Sequence, residues 1–569
     1  MIAVPDHIAE ARNVPGLCPA WPWRSFAEFF ASRVSDPASA QRVFLTYHDD
    51  DGTAHRTYTY SQFGEAVQQA VAFLREAAGL RPGDRLATVL FNHDLTVILY
   101  FAAWVTGVTV VPINVEESRD KKRFILEHSE ADAVFCWPEF VGELMELQRD
   151  IPSLRQVIAV GRDGVLPPVE TVNRPSPRLR GPATHFHPAS LDVEALIVYT
   201  SGTTGAPKGV ILTVGNLLTD ADAIADWHGF GTTDRLMCVL PIHHVNGTVV
   251  TLMTPFYFKG GVVLTRRFRS VSFWQRLEEE RITCVSVVPT LLEFLLDADE
   301  DMTAYPLPHF RGFICGAGPL LKDTAARFED RFGFPIRHGY GLSETTCYSC
   351  FLPNDLPLKE HRHWLRDFEF PSIGVPLRHN QMAICDHDGK ELGELSRGEI
   401  CIRGGTVCAG YYKRDDANEG AFQRGWFRSG DEGFYVRDGQ GRPFFFISGR
   451  LKELIIRGGV NISPLEIDDA LKSHPMVRFG MAVPFEHRYY GEEIAGYVVL
   501  RDAGIECAER ELLKHCRRLL PFAKCPKVIL VGRDVPYTST GKPKRLELKA
   551  HLASSLSGYR HHQFKEDEL

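Results

Sequence analysis

The sequence has no excess of basic charge, because 64 Lys and Arg residues stand against 72 Asp and Glu residues and give a formal net charge of −8. Proteins that bind nucleic acid or an anionic membrane through their overall field carry the opposite sign, so neither partner is expected. Long repeats and low-complexity stretches are also missing, and residues 1–16 hold no apolar run of the kind that a secretory signal needs. With 44% hydrophobic and 24% charged residues, the composition is globular and excludes disordered, collagen-like and coiled-coil proteins.

The cysteines give no sign of a disulfide framework or a zinc site. There are 13 of them, scattered along the chain. Cys347 and Cys350 form one C-x-x-C pair, but no second pair lies at the spacing that a zinc site needs. We therefore expect free thiols and a cytoplasmic location, where reducing conditions keep thiols free.

One uncharged run, Leu95–Val115, is long enough for a membrane-spanning helix. Gly107 and Pro112 interrupt it, however, and its second half is rich in β-branched residues. We interpret the run as a buried helix, a glycine turn and a buried strand, so no membrane span is expected.

Strand-like and helix-like segments alternate through most of the chain, as in Arg85–Leu90, Asp94–Val105 and Val108–Ile113. This alternation predicts an α/β fold whose large N-terminal domain contains parallel sheets of βαβ units. Ligands bind at the carboxyl ends of the strands in such sheets, so the loops after strands are the places to search for a site. The same pattern returns in Ile282–Val288, Pro289–Leu296, Gly312–Cys315 and Leu320–Phe332.

Two changes of pattern divide the chain. From about Gly374, shorter strands separated by glycine turns predict a small β-rich subdomain. Further on, Ser463 and Glu466 have the spacing of a capping box, with Pro464 at the first helical position, and a compact α+β unit follows. We predict an N-terminal domain over residues 1–451, with the β-rich subdomain from about residue 374, and a small, mobile C-terminal domain over residues 452–569.

The strongest single signal is the segment Tyr199–Gly209, with the sequence YTSGTTGAPKG, which follows an apolar strand. Its small and hydroxyl-bearing residues offer N–H and O–H groups to phosphate oxygens, and Lys208 adds a positive charge. The loop is not a Walker A motif, because Pro207 stands where a glycine must donate its N–H and Gly209 stands where Ser or Thr must bind the metal. A P-loop NTPase is therefore disfavoured.

At this loop the chain resembles the superfamily of adenylate-forming enzymes, which comprises acyl-CoA and aryl-CoA synthetases, peptide-synthetase adenylation domains and luciferases. It is most similar to a stand-alone acyl-CoA synthetase, and the resemblance extends in order over most of the chain. Several motifs in the correct order are far more specific than any one of them. The further motifs are Pro241–Gly247, Gly316–Pro319, Gly339–Thr346, Trp426–Gly433, Ser448–Glu453, Gly458–Ser463 and Ser539–Lys542.

The resemblance implies an ATP-dependent acid–CoA ligase. Such an enzyme transfers AMP from ATP to a carboxylate, releases pyrophosphate, and then lets the CoA thiol displace AMP from the acyl group. Bringing a carboxylate to the ATP phosphates requires a cation and preorganised donors. The implied cofactors are ATP, Mg²⁺ and CoA, and the implied partners are a small carboxylic acid and CoA, with the chain as a monomer or homodimer.

The same resemblance implies the residues that bind ATP. Glu344 would be a Mg²⁺ ligand with Thr200 near the metal, since hard oxygen ligands suit that ion. Asp431 would accept hydrogen bonds from the ribose hydroxyls, Arg450 would reach the ribose or the phosphate, and Tyr340 would offer an aromatic face to adenine. The other implied ATP-binding residues are Ser201, Gly202, Thr203, Thr204, Gly205, Lys208, Gly316, Ala317, Gly318, Gly339, Gly341 and Ser343, the last of which replaces a Thr that is common in the family.

Residues of the C-terminal domain are implied to act in turn. Lys542 would enter the site during adenylation and stabilise charge between the carboxylate and the α-phosphate. The domain would then rotate about Lys452, and Gly458 and Gly459 would line a tunnel for the pantetheine thiol.

The acid pocket is less well determined by the sequence. His244, Asn246 and Gly339 are expected beside it, with His244 gating the pocket or swinging between the two steps, although a buried pair of structural histidines is an alternative. The aromatic and charged segment 351–370 either covers the pocket or packs on the surface. Aromatic, fatty and polycyclic acids all remain open as substrates.

Two other functions compete with acid–CoA ligation. One is an adenylating enzyme that delivers its acyl group to a carrier protein, an amine or another nucleophile. The other belongs to a different class, a non-catalytic nucleotide- or acyl-binding protein with a degenerate site. The second is disfavoured because the chain keeps Lys208, Glu344, Asp431, Arg450 and Lys542.

Overall fold

Three β-sheets form the frame of the chain in a computed structural model. The structure describes residues 4–49, 55–168, 190–200, 207–298, 300–502, 508–538 and 542–564. The first two sheets belong to the N-terminal part of the chain and the third to the C-terminal part, which gives the mixed α/β architecture that the alternating pattern predicts.

The largest sheet has 14 strands, and its centre is parallel. Antiparallel strands continue it on the side of the β-rich segment, since Ser372–Pro376 pairs with Cys350–Phe351 and that strand pairs with Ile336–Tyr340. The β-rich subdomain is thus joined edge to edge to the parallel strands. In spatial order the strands are Asn380–Cys385, Gly398–Gly404, Trp426–Arg437 (with Phe422–Gln423 beside it), Pro443–Arg450, Ser372–Pro376, Cys350–Phe351, Ile336–Tyr340, Phe313–Cys315, Cys284–Val287, Arg235–Cys238, Gly261–Thr265, Val43–His48 and His55–Thr59.

The two smaller sheets have six and five strands. The six-stranded sheet contains, in order, Gln156–Ala159, Ala133–Cys136, Arg85–Val89, Thr109–Pro112, Glu194–Thr200 and Lys208–Thr213. The five-stranded sheet contains Val460–Ile462, Ile455–Arg457, Gly491–Leu500, Val477–His487 and Val528–Val531.

Helices pack against these sheets and bury their apolar faces. The α-helices are Asp6–Arg12, Phe26–Val34, Tyr60–Glu76, Asp94–Thr106, Arg119–His128, Val141–Asp150, Val214–His228, Thr254–Phe258, Phe273–Glu279, Pro289–Asp297, Lys322–Phe332, Leu358–Arg366, Asp415–Ala421, Pro464–Lys472, Ala508–Leu519 and Arg545–Leu556. A π-helix covers Asn246–Met253, and 3₁₀ turns cover Pro138–Phe140, Ser270–Ser272, Met302–Ala304, Ser343–Thr345 and Ser557–Tyr559.

The uncharged run forms the buried helix, turn and strand that its sequence predicts. The helix Asp94–Thr106 is buried on nearly every side, and it ends at Gly107, whose φ of 73° lies in the left-handed region that glycine adopts without strain. The strand Thr109–Pro112 follows and is fully buried. Across the described ranges, no helix is both long enough and apolar enough to cross a bilayer.

The first helix of the C-terminal part, Pro464–Lys472, begins where the sequence predicts, with Ser463 as its N-cap. The Ser463 hydroxyl oxygen accepts a hydrogen bond from the Leu465 N–H at 3.2 Å. Glu466 does not complete the capping box, because its Oε2 binds Nζ of Lys524 at 2.6 Å instead. An ion pair with a neighbouring element thus replaces the reciprocal half of the predicted box.

Candidate active site

A cavity of about 1280 Å³ is lined by residues of both the 14-stranded sheet and the C-terminal sheet. Loops that follow parallel strands form one side of it, including Ala317–Gly318 after Phe313–Cys315. Lys542 and Arg545 line it from the C-terminal part of the chain. The cavity therefore lies at the carboxyl ends of the parallel strands, where α/β sheets bind ligands.

Asp431 is buried in the wall of this cavity, and its two carboxylate oxygens have different partners. The phenol of Tyr340 donates to Oδ2 at 2.6 Å, and Nε of Arg450 lies 2.8 Å from Oδ1. Burial and the Asp431 charge raise the pKa of Tyr340, so the phenol stays protonated and remains a donor. Each carboxylate oxygen can accept more than one hydrogen bond, so the fixed Asp431 can still receive two ribose hydroxyls.

Glu344 lies in the 3₁₀ turn Ser343–Thr345, directly after the strand that carries Tyr340. Its backbone carbonyl accepts from the Cys408 N–H at 2.8 Å, and the Tyr411 phenol donates to Oε1 at 2.9 Å. These bonds fix a hard oxygen ligand in the site, and an oxygen ligand of this kind fits Mg²⁺.

Lys208 lies beside Glu344, with its Nζ 4.6 Å from the centre of the Tyr411 ring. Burial lowers its pKa, and the charge of Glu344 opposes that shift. Thr200 is paired with Lys208 across two antiparallel strands, so both ends of the predicted phosphate loop meet here. Ser201, Gly202, Thr203, Thr204 and Gly205 lie outside the described residues.

Lys542 reaches the cavity from a loop of the C-terminal part of the chain. Its backbone is held by Thr538, whose N–H donates to the Lys542 carbonyl at 2.7 Å. The side chain of Lys542 passes close to Gly318, because a Cβ added to this glycine would lie 4.0 Å from Cγ of Lys542. Burial and the charge of Arg450 lower the pKa of Lys542 to about 8, while Asp431 and Glu344 oppose the shift. The predicted catalytic lysine and the predicted ATP-binding residues therefore share one electrostatic environment.

The two histidines of the PIHHVNG motif are in mutual contact, with ring centroids 4.4 Å apart. His243 lines the cavity, and its Nε2 is buried without a hydrogen-bond partner among the described residues. Burial lowers its pKa to about 4, so the ring is neutral. Burial lowers the pKa of His244 as well, and the positive charge of Lys542 adds to this shift, so the second ring is also neutral. Since the charge of Lys542 acts on His244, the pair lies near the predicted catalytic lysine.

Three predicted acid-pocket or base-binding positions are covered by aromatic side chains. A Cβ on Gly316 would lie 2.6 Å from Oη of Tyr348, and a Cβ on Gly339 would clash with the ring of Phe351. Asn246 is buried, and its Nδ2 donates to Oη of Tyr348 at 3.3 Å. Gly316 and Asn246 therefore contact Tyr348, while Gly339 also lines the cavity.

The predicted hinge and tunnel residues are not among the residues that line the cavity. Gly458 and Gly459 form the exposed turn between Ile455–Arg457 and Val460–Ile462, with φ of 58° and 82°. Lys452 is exposed in the turn after the strand that ends at Arg450, and its charge acts on Lys208. The structure thus brings Lys542 to the predicted ATP-binding residues and leaves the glycine pair outside the cavity.

The remaining predictions concern ordinary packing. In segment 351–370, Trp364 stacks on Phe444 with centroids 3.8 Å apart, so this helix packs on the sheet, while Phe370 reaches the cavity wall. Cys347 and Cys350 are buried free thiols, as expected.

Sequence reasoning missed Tyr411 and Asp220. Tyr411 belongs to none of the motifs, and only its contact with Glu344 reveals it. Asp220 is a fully buried helix residue whose Oδ2 accepts from the Tyr348 N–H at 3.2 Å. Nothing in the sequence distinguishes either of them from neighbouring residues.

Comparison with known proteins agrees with this geometry. Residues 35–412 match the family model of the AMP-binding enzymes, and residues 466–542 match that of the AMP-binding enzyme C-terminal domain. The chain belongs to the AMP-binding enzyme family. Within it, the chain is an AMP-forming acid–thiol ligase that uses ATP, Mg²⁺ and CoA.

Among its relatives is a sulfoacetate–CoA ligase from Cupriavidus necator, 36% identical over 480 residues that make up 84% of this chain and 89% of the relative. An oxalate–CoA ligase from Arabidopsis thaliana is 31% identical over 507 residues, 87% of this chain and 93% of the relative. Among solved structures, ATP-bound MatB from Rhodopseudomonas palustris has a TM-score of 0.79 at 26% identity, over 92% of this chain and 99% of that one. The o-succinylbenzoate CoA synthetase from Bacillus subtilis, solved with ATP and magnesium, has a TM-score of 0.75 at 27% identity, over the same shares.

Proposed function

We propose that this acid–CoA ligase activates a small carboxylic acid at the cavity between the two parts of the chain, with Lys542 as the residue that stabilises the transition state of adenylation. The observation that carries the proposal is the convergence of Lys542 with the Asp431–Arg450 pair and Glu344, whose charges all act on it. Separate elements far apart in sequence supply these groups, and a structural ion-pair network would not need a lysine held in a cavity wall.

During adenylation, Asp431 holds the ribose, and Lys208 and Arg450 hold phosphate oxygens. The Lys542 ammonium lies between the carboxylate and the α-phosphate and offsets the charge that builds up as the new bond forms. Mg²⁺, held by Glu344 with Thr200 nearby, supplies charge neutralisation on the phosphates when it is bound. His243 and His244 are neutral, so neither ring adds a positive charge beside the approaching carboxylate.

Thioester formation requires a second arrangement of the C-terminal domain, residues 452–569. Rotation about Lys452 removes Lys542 and brings the turn of Gly458 and Gly459 to the cavity. A Cβ on Gly459 would meet no atom within 4 Å in the present arrangement, and the φ of 82° is what favours glycine there. The second arrangement adds another reason, because bulky side chains at the cavity would block the thiol.

A small acid with a second polar group is the substrate class that this proposal favours. Two of the relatives are ligases of sulfoacetate and oxalate, which are both short acids with two acidic groups. In this chain, Nε2 of His243 lines the cavity region as a buried polar atom that lacks a partner among the described residues. A second oxygen-bearing group on the acid would satisfy it. The proposal includes a cytoplasmic location, in keeping with the free thiols of the described cysteines.

The test is pyrophosphate release from ATP and Mg²⁺ with a panel of carboxylic acids, each with and without CoA. Acid-dependent release, with AMP and thioester formed only when CoA is added, is expected. Release without any CoA product would move the acceptor to a carrier protein or another nucleophile. No release with any acid in the panel, together with ATP binding, would favour the non-catalytic alternative.

A further inference from the structure

Two histidines face each other at the edge of the 14-stranded sheet, far from the chemistry described above. His48 ends the strand Val43–His48, His55 begins the strand His55–Thr59, and the two residues are directly opposite in the antiparallel register. Side chains that are directly opposite project from the same face of a sheet. The centroids of the two rings lie 4.6 Å apart, so the imidazoles are neighbours on that face.

Glu280 brings a carboxylate to the same two rings from the end of the helix Phe273–Glu279. Its Oε1 lies 2.5 Å from Nε2 of His48 and 3.8 Å from Nε2 of His55. The three ligand atoms all lie within 4.8 Å of one another. Ligand atoms bound to one tetrahedral Zn²⁺ are separated by about 3.3–3.6 Å, and this spacing falls between the two distances measured here.

Arg235 fixes the carboxylate from its other side. Nη2 of Arg235 lies 2.8 Å from Oε2 of Glu280, and Nη1 donates to the Glu280 backbone carbonyl at 2.9 Å. Oε1 is therefore directed at the histidines, and an outer partner that orients a carboxylate in this way is usual in metal sites. Because Arg235 neutralises the carboxylate, most of the affinity must come from the imidazoles, which suit Zn²⁺ better than Mg²⁺ or Ca²⁺.

The group is open to solvent on one side. The side chain of His55 is 56% exposed, whereas those of His48 and Glu280 are 17% and 12% exposed. An ion can therefore enter from solvent, and a water molecule can take the fourth position beside three protein ligands. None of these three residues lines the 1280 Å³ cavity.

We propose that His48, His55 and Glu280 form a Zn²⁺ site that is separate from the Mg²⁺ of adenylation. The ligands are Nε2 of each histidine and Oε1 of Glu280. The ion displaces the proton between His48 and Glu280 to solvent, and it joins the edge strands to the end of the helix Phe273–Glu279. The inference goes beyond the proposed function, because the ion stabilises the fold and takes no part in the transfer of AMP.

The experiment measures the Kd for Zn²⁺ of the full chain without nucleotide, by competition with a zinc-chelating dye. His55→Ala removes a ligand at an exposed position, and His309→Ala, at another exposed histidine, is the matched control. Loss of an outer partner alone weakens metal binding by about 10- to 100-fold, so His55→Ala should raise the Kd by at least about tenfold. His309→Ala should keep the wild-type Kd. Saturating Zn²⁺ should also raise the Tm of the wild type more than that of His55→Ala.

His387→Ala tests the other described group with three close donor side chains, Asp386, His387 and Asp388, which are consecutive residues of one turn. This variant should bind Zn²⁺ as the wild type does. Equal Kd values for the wild type and His55→Ala would overturn the inference, and so would loss of binding in His387→Ala alone. Pyrophosphate release without Zn²⁺ should be the same in the wild type and His55→Ala, so the result does not depend on the proposed function.

Discussion

Arg450 and Asp431 face each other on adjacent antiparallel strands, and Nε of Arg450 lies 2.8 Å from Oδ1 of Asp431. The strand register therefore places the ion pair at the cavity edge, and the Tyr340 phenol holds the second carboxylate oxygen at 2.6 Å. The carboxylate is oriented before any nucleotide arrives, which reduces the entropy that binding must overcome.

Asp431→Asn should weaken ATP binding because the amide has one acceptor oxygen in place of two and carries no negative charge to pair with Arg450. Hydrogen bonds to charged groups contribute about 1.5–3 kcal/mol, so KM for ATP should rise by about 10- to 150-fold. Steady-state pyrophosphate release at varied ATP concentration measures this KM. Asp388→Asn, in an exposed turn, is the control and should leave KM for ATP unchanged. An unchanged KM in the Asp431 variant would contradict the ribose-binding role.

Lys542→Ala should slow adenylation by about 100- to 1,000-fold, the usual effect of removing one transition-state donor. Thioester formation from preformed acyl-adenylate and CoA should change little, since Lys542 leaves the site for that step. Lys544→Ala is a matched control, because this exposed lysine pairs with Glu547 at 2.9 Å and lies two positions away. Near-normal acyl-adenylate formation in the Lys542 variant would refute its assigned role.

The pH dependence of adenylation should report the Lys542 ammonium. Its pKa is lowered to about 8, so the protonated form is present below that pH and is lost as the pH rises through it. The kcat/KM for ATP should accordingly fall by about tenfold per pH unit above pH 8. Lys542→Arg keeps the positive charge in this range, because the guanidinium stays protonated, and should remove the decrease at whatever activity it retains. A wild-type profile that stays flat up to pH 10 would be inconsistent with a required ammonium.

Tyr411→Phe should raise the Mg²⁺ concentration needed for half-maximal adenylation, because Glu344 loses the hydrogen bond that fixes its Oε1. The loss of a hydrogen bond that contributes about 1–1.5 kcal/mol corresponds to roughly a 5- to 13-fold increase in this Mg²⁺ concentration. Tyr412→Phe is the control, since that phenol donates to Glu130 and lies on a different charged cluster. Equal Mg²⁺ requirements in the two variants would show that Tyr411 does not position the ligand.

Much of the fold follows from local sequence. The segments Arg85–Val89, Asp94–Thr106 and Thr109–Pro112 lie within a residue of their predicted ends, because apolar periodicity and Gly107 mark them. The helix Pro464–Lys472 is predicted from its N-cap, Ser463. The continuity of the 14-stranded sheet is not predictable in this way, since the pairing of Cys350–Phe351 with both neighbours depends on tertiary contacts.

The candidate site is likewise predictable from the sequence only in part. Motifs identify Lys542, Glu344, Asp431 and Arg450, and the structure brings their charges together. Tyr348 and Asp220 act through packing and burial, and these depend on which helix covers which strand. The reason for glycine at position 316 is likewise a neighbour 32 positions away, and only three-dimensional contact reveals it.

The strand order of the large sheet also affects how the chain can be made. Val43–His48 pairs in parallel with Gly261–Thr265, which leaves the ribosome much later. Until then its one sheet partner among the described strands is His55–Thr59, and an isolated two-stranded hairpin is at best marginally stable in water. Helices that are made earlier cover part of the strand, since the Phe44 ring lies 4.7 Å from that of Phe63 and 6.1 Å from that of Phe101. Complete burial of Phe44 must nevertheless wait for Phe256, whose ring lies 5.1 Å away, and for the strand Gly261–Thr265.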